Sequence, residues 1–255
     1  MRRGTVLITG ASSGIGEAFA RRFAEEGFDL ILTARREERL LALKTELDPD
    51  TTSVVPGDLS TSEGIDAFCE SLAALDLEVD ILVNNAGVLF EETLEAMSQA
   101  QLDAMMSINM TAPARLIHKL LPAMKQRGSG RILNVASMAA FHPVAGMDLY
   151  AATKAFLLSL SESLAENLRG TGVSVTALCP GITRTESVNE KMMSALPDIV
   201  IMSPAAVADA GFQALMQREA ISVPGDANRL AVMVAQHQPR WLMRSLSGLA
   251  ARLTR

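Results

Sequence analysis

The chain is poor in the residues that build covalent and metal frameworks. It has two cysteines, Cys69 and Cys179, among 255 residues. Two cysteines give no disulfide framework and no thiolate metal site. The three histidines, His118, His142 and His237, are too far apart for a His-x-x-x-His pair. No protein-bound transition metal is therefore expected. Positive charge is also scarce: 23 Lys and Arg stand against 29 Asp and Glu, for a net charge of −6. That balance argues against nucleic acid as the main partner. No uninterrupted apolar run approaches the ~18 residues needed to span a bilayer. Only Thr5–Thr9 separates Gly4 from Gly10, too short for a signal-peptide core. A cytoplasmic protein is the expectation.

What is present is core-forming. Apolar residues make up 49% and charged residues 20%, a globular balance with enough material to bury a core. Seven short, continuous apolar runs read as strands: 6–9, 30–33, 53–55, 79–83, 131–135, 173–178 and 221–223. Uninterrupted runs suit strands covered on both faces. Helical patterns fall between them at 16–26, 37–46, 63–74, 101–127, 149–169 and 204–218. Pro113 and Pro122 predict that the 101–127 stretch is two helices or one kinked helix. The alternation predicts an α/β fold, a single Rossmann-type doubly wound domain with a seven-stranded parallel sheet and helices on both faces. The expected strand order is 3-2-1-4-5-6-7, with ligands at the carboxyl ends where the order reverses.

Thr9-Gly10-Ala11-Ser12-Ser13-Gly14-Ile15-Gly16 follows a strand and opens a helix. Glycines let the backbone approach a pyrophosphate, and the helix N-terminus offers N–H groups and a positive dipole end. An ordinary glycine turn is the simpler reading, but strand, loop and helix together favour the cradle. No acid stands at the tip of the second strand, which runs Thr33-Ala34-Arg35-Arg36. Arg35 and Arg36 suit the 2′-phosphate of NADP(H) rather than the ribose hydroxyl of NAD(H). A charged helix start would also place arginines there.

Tyr150 and Lys154 are four residues apart, on one helix face. A phenol ordinarily titrates near 10, and a neighbouring cation draws it toward the working range. Ser137 follows the strand 131–135 and lies at its carboxyl end. At this point the sequence resembles the short-chain dehydrogenase/reductase family, from Thr5 to about Val223. The motifs that carry the resemblance are the glycine loop, Asn84-Asn85-Ala86-Gly87, Asn109, Ser137, Tyr150-x3-Lys154, and Pro180-Gly181 followed by Thr185.

The resemblance implies roles. Tyr150 would donate or accept the proton, Lys154 would lower its pKa and bind the nicotinamide ribose, and Ser137 would hold the substrate oxygen. Asn109 would hold a water in a proton relay. Asp58, with Leu59, would contact adenine; Asn85, Ala86 and Gly87 would lie along the cofactor. Ile182 and Thr185, after the cofactor-binding pair Pro180-Gly181, would face the nicotinamide carboxamide. Thr183 stands where many relatives carry valine. Substrate contacts are expected from Met138, Phe141, His142 and Met147, and from Met192 and Met193 in a lid over 183–203. Methionines used as core filler account for the lid composition equally well.

The last 29 residues, 227–255, hold five arginines and no acid, a charge of +5 that leaves −11 for the rest. Leucines at 242, 246, 249 and 253 make this a basic amphipathic helical extension, with a break expected at Pro239. It would pack on the 1–226 domain or a neighbouring subunit, touch an anionic membrane, or simply offset the acidic body. The function expected is NADP(H)-dependent reduction of an apolar ketone, aldehyde or 3-oxoacyl compound, by a homodimer or homotetramer. An NAD-dependent hydroxysteroid or polyol dehydrogenase and a non-catalytic dinucleotide sensor are the alternatives.

Overall fold

In the computed structural model, the described residues are 3–90, 92–186 and 201–239, with 242, 245 and 248. The elements in order are β1 (Thr5–Thr9), α1 (Gly14–Glu25), β2 (Asp29–Thr33), α2 (Glu37–Leu47), β3 (Thr52–Val54) and α3 (Ser62–Ala74). They continue with β4 (Ile81–Asn84), α4 (Gln99–Met106), a π turn (Ser107–Thr111), α5 (Ala112–Gln126) and β5 (Gly130–Val135). After a 3-10 turn (Met138–Ala140) come α6 (Asp148–Asn167), β6 (Val173–Leu178), α7 (Pro204–Gln217), β7 (Ile221–Ser222) and α8 (Asp226–Gln236).

The seven strands form one sheet in the order β3-β2-β1-β4-β5-β6-β7, every pair parallel. This is the order expected from the sequence. Side chains alternate across each strand, and β1 shows what that does. Val6 and Ile8 enter one core with Phe19, Phe23, Leu40 and Phe212, from α1, α2 and α7. Leu7 enters the other with Ile65, Phe68, Leu116 and Ile117, from α3 and α5. The sheet is therefore covered twice, which is why its strands lack an in/out polar alternation.

The sheet order reverses between β1 and β4, which pair directly. Chains leaving their carboxyl ends diverge to opposite faces and open a cleft there.

The 101–127 expectation needs correcting. The chain makes two α-helices, but the break is the π turn between them, where Ala112 N–H donates to the Ser107 carbonyl. Neither proline causes it. Pro113 sits in the first turn of α5, where its missing N–H costs little. Pro122 lies inside α5 without ending it. It and His118, whose carbonyl it deprives of a donor, are both on the exposed side.

Of the basic C-terminal stretch, α8 carries Arg229 alone of the five arginines. It packs inward through Asn228 and Val232. The Asn228 amide donates to the Pro224 carbonyl at 2.9 Å. Leu246, Leu249 and Leu253 lie outside the described residues. Among those described, no helix is long and apolar enough to cross a membrane.

Candidate active site

The cleft begins with β1. Thr9, buried at its end, accepts hydrogen bonds at Oγ1 from the main-chain N–H of Asn85 (3.0 Å) and Ala86 (2.9 Å). Asn85 returns the connection, donating from Nδ2 to the Thr9 carbonyl at 2.9 Å. The glycine loop is thus tied to the strand across the reversal point. Gly10 and Gly14 take positive φ, +68° and +59°, where a Cβ is disfavoured. At Gly16 a Cβ would overlap the Gly10 carbonyl oxygen and stand 2.5 Å from Asn85 Nδ2. The helix start is therefore drawn tightly under the loop.

Side-chain caps close some helix starts and not others: α1, α2, α5, α6 and α8 have none. Thr61, Ser98 and Ser203 each cap their own helix through a side-chain oxygen. Ser13, the N-cap of α1, makes no such bond. The first-turn N–H groups of α1 face a cleft of about 500 Å³, lined by Gly10, Ser12, Ser13, Gly14 and Ile15. A bare helix N-terminus over glycines that leave no room for a Cβ fits the pyrophosphate of a dinucleotide.

Arg35 and Arg36 line the same cleft at the tip of β2, with Asp58, Leu59 and Gly57 after β3. The Arg36 guanidinium donates to the hydroxyls of Ser12 (3.1 Å) and Ser13 (2.7 Å). It also pairs with Glu186 at 3.1 Å, and Arg39 joins that carboxylate at 2.8 Å. Asp58 Oδ1 accepts from the Ser60 N–H at 3.0 Å.

The wall of the same cleft also brings together Ser137, Tyr150 and Lys154, with Asn85, Ala86, Gly87, Pro180 and Thr185. Ser137 leaves β5 extended and accepts at Oγ from the Ala139 N–H at 3.1 Å. Met138 N–H donates to the Pro180 carbonyl at 3.0 Å, which joins the exits of β5 and β6. Lys154 is buried and donates to the Val135 carbonyl at 2.9 Å. Burial pulls its pKa down to about 8. Burial also pushes the Tyr150 phenol above its ordinary value, and hydrogen bonding with Ser137 pulls it back. The ammonium nitrogen stands 5.6 Å from the Tyr150 ring centroid.

Asn109 is buried behind this wall, in the π turn. Its Oδ1 accepts from the Val88 N–H at 2.9 Å. Its amide donates to the Val88 carbonyl at 3.0 Å and to Thr153 Oγ1 at 3.1 Å. Thr153 in turn donates to the Tyr150 carbonyl at 2.8 Å. With both amide hydrogens committed, a relay water could meet Asn109 only at a carbonyl oxygen.

Several expected residues lie off the cleft wall. Gly16 is beneath the loop, and Gly181 packs on Asn228. Ile182 presents its carbonyl to the Met202 N–H at 2.9 Å. Met138 and Phe141 pack on the small core under β6 and α8. His142 and Met147 are half-buried in the loop before α6; His142 Nδ1 has no hydrogen-bond partner. Met192 and Met193 lie outside the described residues. Thr183 lines the cleft, and its hydroxyl is absorbed by the Gly181 carbonyl at 3.2 Å. The valine-like position thus tolerates a threonine. Sequence reasoning did not single out Thr153, Arg39 or Glu186. Thr153 carried a signal in its place between Tyr150 and Lys154. The arginine–glutamate contact joins residues about 150 apart and carried none.

Comparison with known proteins agrees with this geometry. A model of the short chain dehydrogenase family matches residues 4–194. The NADP-dependent 3-hydroxy acid dehydrogenase YdfG of Salmonella typhi is 40% identical over 178 residues, covering 69% of this chain and 71% of its own. Serine 3-dehydrogenase of Agrobacterium fabrum is 43% identical over 189 residues, covering 72% and 73%. A short-chain dehydrogenase from Sphingobium yanoikuyae, solved in complex with NADPH, superposes with a TM-score of 0.79 at 33% identity, covering 97% of this chain and 95% of that one. The fold, the glycine loop and the shared wall of Ser137, Tyr150 and Lys154 make this chain a member of the short-chain dehydrogenase family.

Proposed function

We propose that the protein is an NADP(H)-dependent oxidoreductase that interconverts a carbonyl and an alcohol. The observation that carries the reading is the meeting of Ser137, Tyr150 and Lys154 on the wall of the cleft that the glycine loop also lines. When bound there, the dinucleotide supplies or takes the hydride. The rest falls to the chain. The Ser137 hydroxyl holds the carbonyl oxygen as negative charge grows on it. The Tyr150 phenol, kept protonated by burial, gives that oxygen its proton in reduction; as phenolate it takes the proton back in oxidation. Lys154 in its charged form favours the phenolate. Asn109, through Thr153, fixes the turn of α6 that carries Tyr150.

NADP(H) is favoured because Arg35 and Arg36 stand at the end of β2 and no acid does. The name of the YdfG relative and the NADPH-bound structural neighbour point the same way. For substrate, the cleft walls at Val88, Leu89 and Ile108 favour an apolar ketone, aldehyde or 3-oxoacyl compound. The names of two relatives favour a second reading, a small 3-hydroxy acid. The half-buried faces of α5 and α6, at Leu120, Leu121, Leu160 and Leu164, suit a homodimer or homotetramer.

The test is Tyr150→Phe, assayed with NADPH on a carbonyl panel that includes 3-oxo acids. Turnover is expected to fall by about 10²–10⁴-fold with dinucleotide affinity unchanged. Turnover that survives the substitution would refute the assignment of Tyr150. Wild-type protein that binds NADPH but turns over nothing would favour a dinucleotide sensor.

A further inference from the structure

The acid that touches the phosphate-side arginines plays no part in the chemistry described above. Glu186 follows Thr185 after β6, lines the cleft, and reaches across it to α2. Its carboxylate meets Arg36 NH1 at 3.1 Å and Arg39 NH1 at 2.8 and 2.9 Å. The Arg36 guanidinium is meanwhile shared with the Ser12 and Ser13 hydroxyls of the glycine loop. One side chain thus joins the cradle to an anion supplied by the protein itself.

Arg36 is the N-cap of α2, and Arg39 lies in its first turn. Cations there oppose the helix dipole, so they gain from an anionic partner. In this structure that partner is Glu186. On the cofactor reading proposed above, the 2′-phosphate approaches Arg36 beside Arg35, with Arg39 one helical turn behind. It carries more charge than a carboxylate and three acceptor oxygens. Glu186, Arg36 and Arg39 are all exposed, at 57, 45 and 48% of their side-chain area. Water screens such a pair, so it is cheap to exchange.

We propose that Glu186 is an internal competitor for the arginines that receive the 2′-phosphate, and so sets how tightly NADP(H) is held and how fast it leaves. The carboxylate keeps Arg36 and Arg39 poised beside the glycine loop. It yields them when the phosphate arrives and retakes them as the cofactor departs. NADH, with a ribose hydroxyl at that place, does not contest the pair.

The experiment measures NADPH and NADH affinity and NADPH release rate for wild type, Glu186→Gln and Glu186→Ala, at low and at physiological ionic strength. Both variants should bind NADPH about two- to fivefold tighter and release it correspondingly more slowly, in line with the small worth of exposed ion pairs. NADH affinity should move less than about twofold, and the gain should shrink with salt. Unchanged or weakened NADPH binding in both variants would overturn the proposal, because the contact would then only brace the cleft. Equal tightening for both nucleotides would overturn it too, since Glu186 would then act as a general cleft charge. The cofactor reading is judged separately. Wild type should prefer NADPH, and Arg35→Ala should lose that preference. If wild type binds the two alike, the cofactor reading fails and the proposal fails with it. If wild type prefers NADPH but the Glu186 variants do not tighten, the proposal alone fails.

Discussion

Gly16→Ala separates the cleft's geometry from its chemistry, because the new methyl touches no reacting group. A Cβ at this position would overlap the Gly10 carbonyl oxygen and stand 2.5 Å from Asn85 Nδ2, where ordinary contact begins at 3.4 Å. Helix α1 must therefore withdraw from the loop by about 1 Å. Overpacking of this kind costs about 1–3 kcal/mol. Alanine in place of glycine near a helix start returns up to about 1 kcal/mol. The net loss of stability is about 0–3 kcal/mol, small enough for the variant to fold. Binding should suffer far more. The first-turn N–H groups move with the helix, and a displacement of about 1 Å can cost about 100-fold where position matters. Titration calorimetry with NADPH and NADH, beside urea unfolding, reads both quantities. Both nucleotides should weaken by about 100-fold while the unfolding midpoint moves modestly. Gly170→Ala is the control: its φ is +78° and a Cβ there would meet nothing within 4 Å. It should cost about 1–2 kcal/mol of stability through left-handed backbone strain and leave binding alone. Gly16→Ala protein that binds NADPH within about threefold of wild type would refute the close-approach argument.

Two further outcomes test the supports behind the site. Thr9→Val keeps the side chain's shape but removes the oxygen that accepts from Ala86 N–H, with Asn85 N–H retaining a bond to the Val83 carbonyl at 3.1 Å. One half-buried N–H loses its partner, so unfolding free energy in urea should drop by about 1 kcal/mol; a neutral result would show that water from the cleft replaces the bond. Lys154 gives a pH dependence. Unfolded, it holds its proton up to 10.5; folded, it releases it from about 8, so the folded state binds fewer protons between those values. Stability of wild type relative to Lys154→Met should therefore rise by up to about 3 kcal/mol from pH 8 to pH 10.5. A flat difference across that window would show that Lys154 is not the desolvated group described.

The sheet was legible because β-branched runs bounded by turns carry their meaning locally. The parallel pairing followed from the alternation of strands and helices, and the expected order 3-2-1-4-5-6-7 is the one the sheet adopts. Ser137, Tyr150 and Lys154 were legible for a similar reason, since each sits at a fixed offset from a strand end or helix face. The break near residue 107 was misplaced. Proline marks where a helix can stop, whereas the π turn is held by Asn109 bonding to Val88, a contact made only once β4 and α6 are packed. Glu186 escaped notice for a related reason. Its arginines are remote in sequence, and an isolated acid after β6 has no pattern to betray it. Met138 and Phe141 were aimed at substrate because they lie between serine and tyrosine. In the fold their side chains were needed beneath β6, where apolar surface lacked a cover.

The π turn bears on anyone who would make this protein sturdier. Its widened loop gives up the regular i to i+4 ladder over Ser107–Thr111 in order to aim one amide at Val88 and Thr153. Trimming a residue there restores an unbroken helix but rotates everything downstream by about 100°. That rotation takes Leu116 and Ile117 off the core and Asn109 off Val88 and Thr153, so the regular helix is the less stable one. An engineer who regularises residues 107–111 for sturdiness would therefore undo the packing that the irregular turn makes possible.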